Sequence, residues 1–313
     1  KYLKQLSLNG IVLCVCSKNN EEVAKEVFKK HKHTILKLDD FSDFKANYND
    51  KVENIKSISK NLNLGLDSFV FVDDSKVECS IVKKILPEVF VINLDSSEPS
   101  AYIKKIEFYN LFYFKNTTQE DIRRVKSYQN IKKYEDLKST KNNLEKFLKD
   151  LQPTISLERI SKLNLTRSSQ LLAKTNQFKF NSKTFSEKEL IKLKKHSIVI
   201  SFKDKIQNYG IIGVLILNEF KKNKALEIVN WVMSCRVFSR RIENYILDHI
   251  IKEAKKRKCN KISFKFEKTK KNLYLQEFFS KIKIKTEKNK NYYTNAITKI
   301  KNNYRSYIKA SKF

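Results

Sequence analysis

The sequence predicts an α/β chain of two domains, a doubly wound parallel sheet followed by an α+β domain. Three observations predict it. Short apolar runs alternate with amphipathic stretches over the first hundred residues, as strands and helices of a buried parallel sheet do. The 313 residues, 41% of them apolar, suffice for two cores. The charge also divides: residues 1–100 carry 15 Lys+Arg and 15 Asp+Glu, and the remainder carries 50 and 19, the whole net charge of +31.

The elements follow in order. Asn9-Gly10 is a turn signal, and the apolar run at 11–16 (IVLCVC) predicts a buried strand. Asn19-Asn20 caps a helix over 21–31, with Glu21 and Glu22 in its first turn. Residues 34–38 (TILKL) read as the second strand. Val52, Ile55, Ile58 and Leu62 share one face of a helix over 50–62. Residues 68–72 (SFVFV) form a third strand ending at Asp73-Asp74, followed by a helix near 75–86 and a strand at 89–93. The first domain is thus expected over 1–102. Residues 103–150 are charged and helical, a connector whose long helix opens with the capping box Thr117-Thr118-Gln119-Glu120.

Pro153 marks entry to the second domain, 151–300. Residues 197–202 (SIVISF) and 211–217 (IIGVLIL) predict a hairpin, and 226–233 (LEIVNWVM) the strand beside it. A helix over 239–256 places Ile242, Ile246, His249 and Ile250 on one face, before a strand at 261–266 and a helix near 271–281. Residues 301–313 are read as a basic tail.

Several classes are disfavoured. No run approaches the eighteen apolar residues of a membrane span, and the opening Lys1-Tyr2-Leu3-Lys4 is not a signal peptide. Five Cys without paired CxxC motifs suit a reduced, cytoplasmic protein. Lys and aromatics interleave over 264–313 as a nucleic-acid surface would. Against that, nine of the 65 basic residues are Arg, and no known RNA- or DNA-binding signature is present. The basic half suits an acidic protein partner or reflects compositional drift.

The candidate chemistry of the first domain lies at its strand ends, where open parallel sheets bind ligands. Ser17-Lys18-Asn19 joins hydroxyl, amide and backbone N–H groups at a helix start, which suits a phosphate or merely caps the helix. Asp73 and Asp74 suit a Mg²⁺ ion or a turn with its cap. Lys51 neutralises phosphoryl oxygens or is solvated. In the second domain Cys235 precedes the predicted helix and neighbours Arg236 and Arg240. It is a thiolate able to carry an acyl thioester, or a small buried apolar residue.

The order Ser17, Lys51, Asp73-Asp74 resembles motifs two to four of the haloacid dehalogenase-like (HAD) superfamily. The stretches VCSKNNEEVAKEVFKKH, DFSDFKANYNDKVENI and LNLGLDSFVFVDDSKVE resemble its FkbH-like subfamily (HAD subfamily IIIC). WVMSCRV at 231–237, TRSSQLLAKTNQF at 166–178, NYGIIGV at 208–214 and KTKKN at 268–272 extend that resemblance. The second domain is thereby similar to Gcn5-related N-acetyltransferases (GNAT).

The resemblance implies an enzyme that takes a phosphorylated three-carbon acyl donor such as 1,3-bisphosphoglycerate and passes the acyl unit to the phosphopantetheine of an acidic acyl carrier protein. It implies Ser17, Lys18, Asn19 and Lys51 as phosphate ligands and Asp73 and Asp74 as Mg²⁺ ligands. Cys235 is implied as thioester nucleophile, with Thr175, Asn176, Gln177, Phe178, Arg236 and Asn272 around the acyl or carrier group. The implied pathways are polyketide assembly or surface-glycan and lipid modification. Two departures stand out. The DxDxT motif with its nucleophilic Asp is absent, and the chain has no initiating Met, so a fragment without phosphatase turnover is expected. Phe238-Ser239-Arg240-Arg241 replaces the Gly-rich turn that cradles coenzyme A. The competing readings are a non-catalytic carrier-binding module and a nucleic-acid-binding protein.

Overall fold

A computed structural model describes residues 1–31, 33–94, 98–112, 125–128, 130–131, 134, 138, 144–220, 224–284, 292–300 and 307–311. The chain forms two compact units, Lys1–Thr140 and Lys141–Phe313. The capping box at 117–120 lies outside the described residues. Among the described residues no helix is long and apolar enough to cross a membrane.

The first unit opens with α1 (Tyr2–Leu8), which Gly10 ends at a φ of 93° that suits glycine. Then come β1 (Leu13–Ser17), α2 (Glu21–Lys30), β2 (Phe41–Ala46), α3 (Lys51–Leu62), β3 (Val70–Asp73), α4 (Lys76–Ile85), β4 (Phe90–Asn93) and α5 (Tyr102–Phe108). The strands form two parallel pairs, β1 with β2 and β3 with β4. Val52, Ile55, Ile58 and Leu62 of α3 are buried as their spacing requires. Ile58 and Leu62 pack with Tyr128 and Ile131 from the stretch read as a connector.

The second strand is not at 34–38, where residues are exposed or half-exposed, but at Phe41–Ala46. Its polar residues hid it. Asp43 is buried, and its carboxylate accepts from the Phe44 amide (2.8 Å) and from Asn61 Nδ2 (2.9 Å). A paired buried carboxylate is tolerated in a strand where a bare one is not.

The second unit begins with α6 (Leu144–Asp150), β5 (Thr154–Glu158), α7 (Leu165–Lys174) and α8 (Glu187–Lys192). It continues through β6 (Ser197–Lys203), β7 (Asn208–Phe220), β8 (Ala225–Met233), α9 (Ile242–Lys256), β9 (Lys261–Lys265), α10 (Leu273–Lys281), β10 (Tyr292–Ala296) and β11 (Lys309–Ala310). One seven-stranded mixed sheet results, ordered β10-β9-β8-β7-β6-β5-β11. β8 and β9 run parallel, joined through α9, whose Ile242, Ile246 and Ile250 are fully buried. This is the α+β domain that the sequence predicts. The stretch read as a basic tail supplies the edge strand β11, held by Lys309 N donating to Pro153 O (3.0 Å) and Ser311 N to Ile155 O (2.8 Å).

Both faces of this sheet are covered, which is why β6 and β7 read as continuous apolar runs. Trp231, Phe178, Phe180, Phe264 and Phe279 lie in the core on one side, and Leu171, Leu172, Val214 and Val232 on the other. Gly213 is needed where β7 meets β8, because a Cβ there would stand 2.8 Å from Val232 O.

Candidate functional site

In the first unit, β1 delivers Ser17, half-buried, to the start of α2. The α2 cap is Asn20, whose Oδ1 accepts from the amides of Glu22 (3.0 Å) and Val23 (3.3 Å). Asn19 Oδ1 accepts from the Asn20 amide (2.8 Å). Lys18 Nζ pairs with Glu78 Oε1 at 2.5 Å, which holds its pKa above the ordinary lysine value.

Lys51 is the first residue of α3, whose cap Asp50 accepts from the Val52 amide (2.7 Å). Its side chain is 9% exposed and pairs with Asp73 Oδ2, likewise 9% exposed, at the end of β3. The Lys51 carbonyl lies 3.9 Å from Cys16 Sγ, one residue before Ser17. The Lys51 ammonium thus lies buried at the end of β3, and the Lys51 backbone touches β1 through Cys16, the residue before Ser17. Asp74 is exposed beside Asp73. Burial pushes the Cys14 thiol up to about 12 and Cys16 up to about 11, and Cys79 is raised too. These three are protonated at neutral pH and serve packing.

The resemblance implies Mg²⁺ at Asp73 and Asp74. Asp73 Oδ2 is taken by Lys51 and Oδ1 accepts from the Ser75 amide (2.9 Å). Among the described residues no three His, Cys, Asp or Glu side chains group as a metal site. The described residues therefore do not complete a site for a divalent cation.

In the second unit the sequence puts Cys235 directly before a helix, and the structure corrects this. A 3-10 turn, Cys235–Val237, follows β8, and α9 starts only at Ile242. Ser239 (φ 65°) and Arg241 (φ 57°) hold left-handed backbone, which bends the chain and delays the helix. Cys235 is half-buried and packs against the main core. Arg240 is buried and committed: Nε pairs with Asp204 Oδ2 (3.4 Å), and Nη2 donates to Tyr209 Oη (2.7 Å). Nη1 donates to Arg236 O (3.2 Å). Arg236, also buried, donates from Nε to Ser234 Oγ (3.1 Å).

Two candidate acyl ligands belong to the interior. Phe178 is fully buried, with its ring 4.9 Å from Trp231, so it has no surface for a ligand. Asn272 is buried, and its Nδ2 donates to Glu267 O (2.8 Å) and Lys179 O (3.4 Å). Its Oδ1 accepts from the Thr269 amide (3.0 Å). It ties loops together. Thr175 is half-buried at the end of α7, Asn176 exposed and Gln177 half-buried.

Sequence reading missed Asn181, Asp204, Glu243 and Tyr274. The last two join through Tyr274 Oη donating to Glu243 Oε1 (2.8 Å), and the Tyr274 ring stacks on Phe238 at 3.8 Å. The signal available was an acid on the apolar face of α9, one residue after Ile242.

No family model and no curated protein matches the chain. Among solved structures, it is similar to the N-terminal part of a Bacteroides fragilis protein described as containing a phosphatase domain complexed with Mg. That match has 42% identity over 36% of this chain and 30% of that one, with a TM-score of 0.35. It therefore spans under a third of the Bacteroides chain. The IAA acetyltransferase of Bacillus cereus matches at 21% identity over 41% of this chain and 75% of that one, TM-score 0.29. A Bacillus subtilis acetyltransferase in complex with CoA matches at 15% identity over 41% and 74%, TM-score 0.29.

Proposed function

We propose that the chain is an acyl-handling transferase whose first unit binds the phosphoryl group of a small phosphorylated acyl donor. In this reading the donor is a three-carbon acyl phosphate of the 1,3-bisphosphoglycerate type. Ser17, Lys18 and Lys51 bind phosphoryl oxygens. In the second unit the acyl group is carried on Cys235: the thiol gives up its proton, its sulfur bonds to the acyl carbon, the bond from that carbon to the phosphate oxygen breaks, and phosphate leaves. The pantetheine thiol of an acidic carrier protein then takes the acyl group by thioester exchange, and Cys235 recovers its proton.

One observation supports this above the others: a buried lysine ammonium lies at the end of β3, on the strand-end carboxylate of Asp73. Asp73 matches that charge in this structure, and the phosphate oxygens of a ligand at a strand end are a second kind of anion that it can meet. The positive charge of the second unit suits an acidic carrier. A second reading, a carrier-binding module without catalysis, is favoured by Cys235 packing against the core and by the incomplete cation site.

Intact-protein mass spectrometry separates them. The chain and its Cys235→Ala variant are each incubated with 1,3-bisphosphoglycerate. A phosphoglyceryl increment on the parent alone is expected. If neither protein gains mass, the thioester mechanism is wrong and the binding module stands.

A further inference from the structure

We infer that the second unit does not take coenzyme A, because both places where its fold would hold that molecule are filled by the chain itself. This rests on the second unit's own geometry and is independent of the acyl-phosphate reading.

A pantetheine arm is extended and carries two amides. It gains affinity by pairing with a free strand edge, and the pyrophosphate behind it by resting on a helix N-terminus. β8 and β9 pair only from Ala225–Lys261 to Ile228–Phe264, so the rest of β8 parts from its parallel neighbour. That opening is the free edge, and residues 178–181 close it. Met233 N donates to Phe178 O (3.0 Å), and Phe180 N donates to Trp231 O (3.3 Å). On the other side Glu267 N donates to Phe180 O (2.9 Å). Asn181 sits where the strands diverge: its Nδ2 donates to Val229 O of β8 (2.9 Å) and to Lys265 O of β9 (3.3 Å). The buried rings of Phe178 and Phe180 anchor the segment, and Asn272 ties it from outside through Lys179 O (3.4 Å). The segment therefore acts as an inserted strand.

The helix end is occupied as well. Glu243, in the first turn of α9, is buried, and its Oε1 accepts from Tyr274 Oη (2.8 Å). The Ser239 amide donates to Tyr274 Oη (3.2 Å). No glycine opens the turn, and the left-handed positions are Ser239 and Arg241. The basic side chains there are engaged too, Arg240 by Asp204 and Arg241 by Glu145 (3.0 Å). A carrier protein's arm is excluded from the same edge, but a carrier brings its own protein surface for affinity.

The test pairs equilibrium dialysis of the chain against CoA and acetyl-CoA with amide hydrogen exchange. No saturable binding is expected up to about 1 mM ligand, the level at which binding is worth only about 4 kcal/mol. The Phe180, Met233 and Glu267 amides should be protected like strand amides. Micromolar CoA binding would overturn the inference, whether or not those amides lose protection. Fast exchange of all three without CoA would also overturn it, because the edge would then be open.

Discussion

The two units share one device, a parallel strand–helix–strand crossover, and use its strand ends in opposite ways. In the first, the ends of β1 and β3 hold charged and polar side chains: Ser17 half-buried, Lys51 on Asp73, and Lys18 on Glu78. In the second, the opening between β8 and β9 is stitched shut by backbone and aromatic rings. A crossover provides a place for a ligand, and the residues delivered to it decide whether the place stays open.

The sharpest way to break this contrast is to remove the ring that anchors the inserted segment. Phe178→Ala should cost about 3–5 kcal/mol, the usual loss for a fully buried aromatic. Trp231 is the chain's single tryptophan and lies 4.9 Å from that ring, so urea unfolding followed by its fluorescence reads the second unit directly. A loss below about 1 kcal/mol would mean that the segment is not part of the core.

In the first unit Lys51→Met should come next. It strands the Asp73 carboxylate and should cost about 3 kcal/mol, read by circular dichroism. Lys18→Met, at an exposed pair, should leave the midpoint where it is. Equal effects from the two variants would remove the distinction between a buried strand-end cation and a surface one.

The smallest effect concerns pH. Burial raises the Glu243 carboxyl above its ordinary 4.5. The folded state therefore binds its proton more tightly than the unfolded chain does. The resulting stability is fully present below pH 4.5 and is lost as pH rises through the raised value. Glu243→Gln should flatten that decline in the fluorescence-detected midpoint. An unchanged pH profile would mean that another group causes it.

What the sequence made legible follows the same division. Apolar runs announced β6, β7 and β8, whose sheet is covered on both faces, and also β1 and β3, although β1, read as buried, is half-buried throughout. The pairing of Lys51 with Asp73 falls at the end of β3, where the sequence reading looks for a ligand position. β2 was not, since Asp43 and Ser42 disguise a strand whose polar groups are matched only in three dimensions. Nor was the inserted segment: Lys179 makes a single bridge to Val232, too short to leave a periodic trace. Cys235 was misread for a local reason. Ser239-Arg240-Arg241 has ordinary helix propensity, yet two of the three adopt left-handed backbone to seat Arg240 on Asp204 and Tyr209. Tertiary demand overrode propensity there.

Asn181 has a further consequence, for the order of events as the chain folds. Its side chain joins carbonyls 48 and 84 residues away in sequence. Neither acceptor has its place until β8, α9 and β9 have assembled. The loop-closure entropy for such distant partners must be met before the two hydrogen bonds can return anything. The two hydrogen bonds that seal the opening therefore depend on the completed sheet, and they report its assembly and not an early local contact.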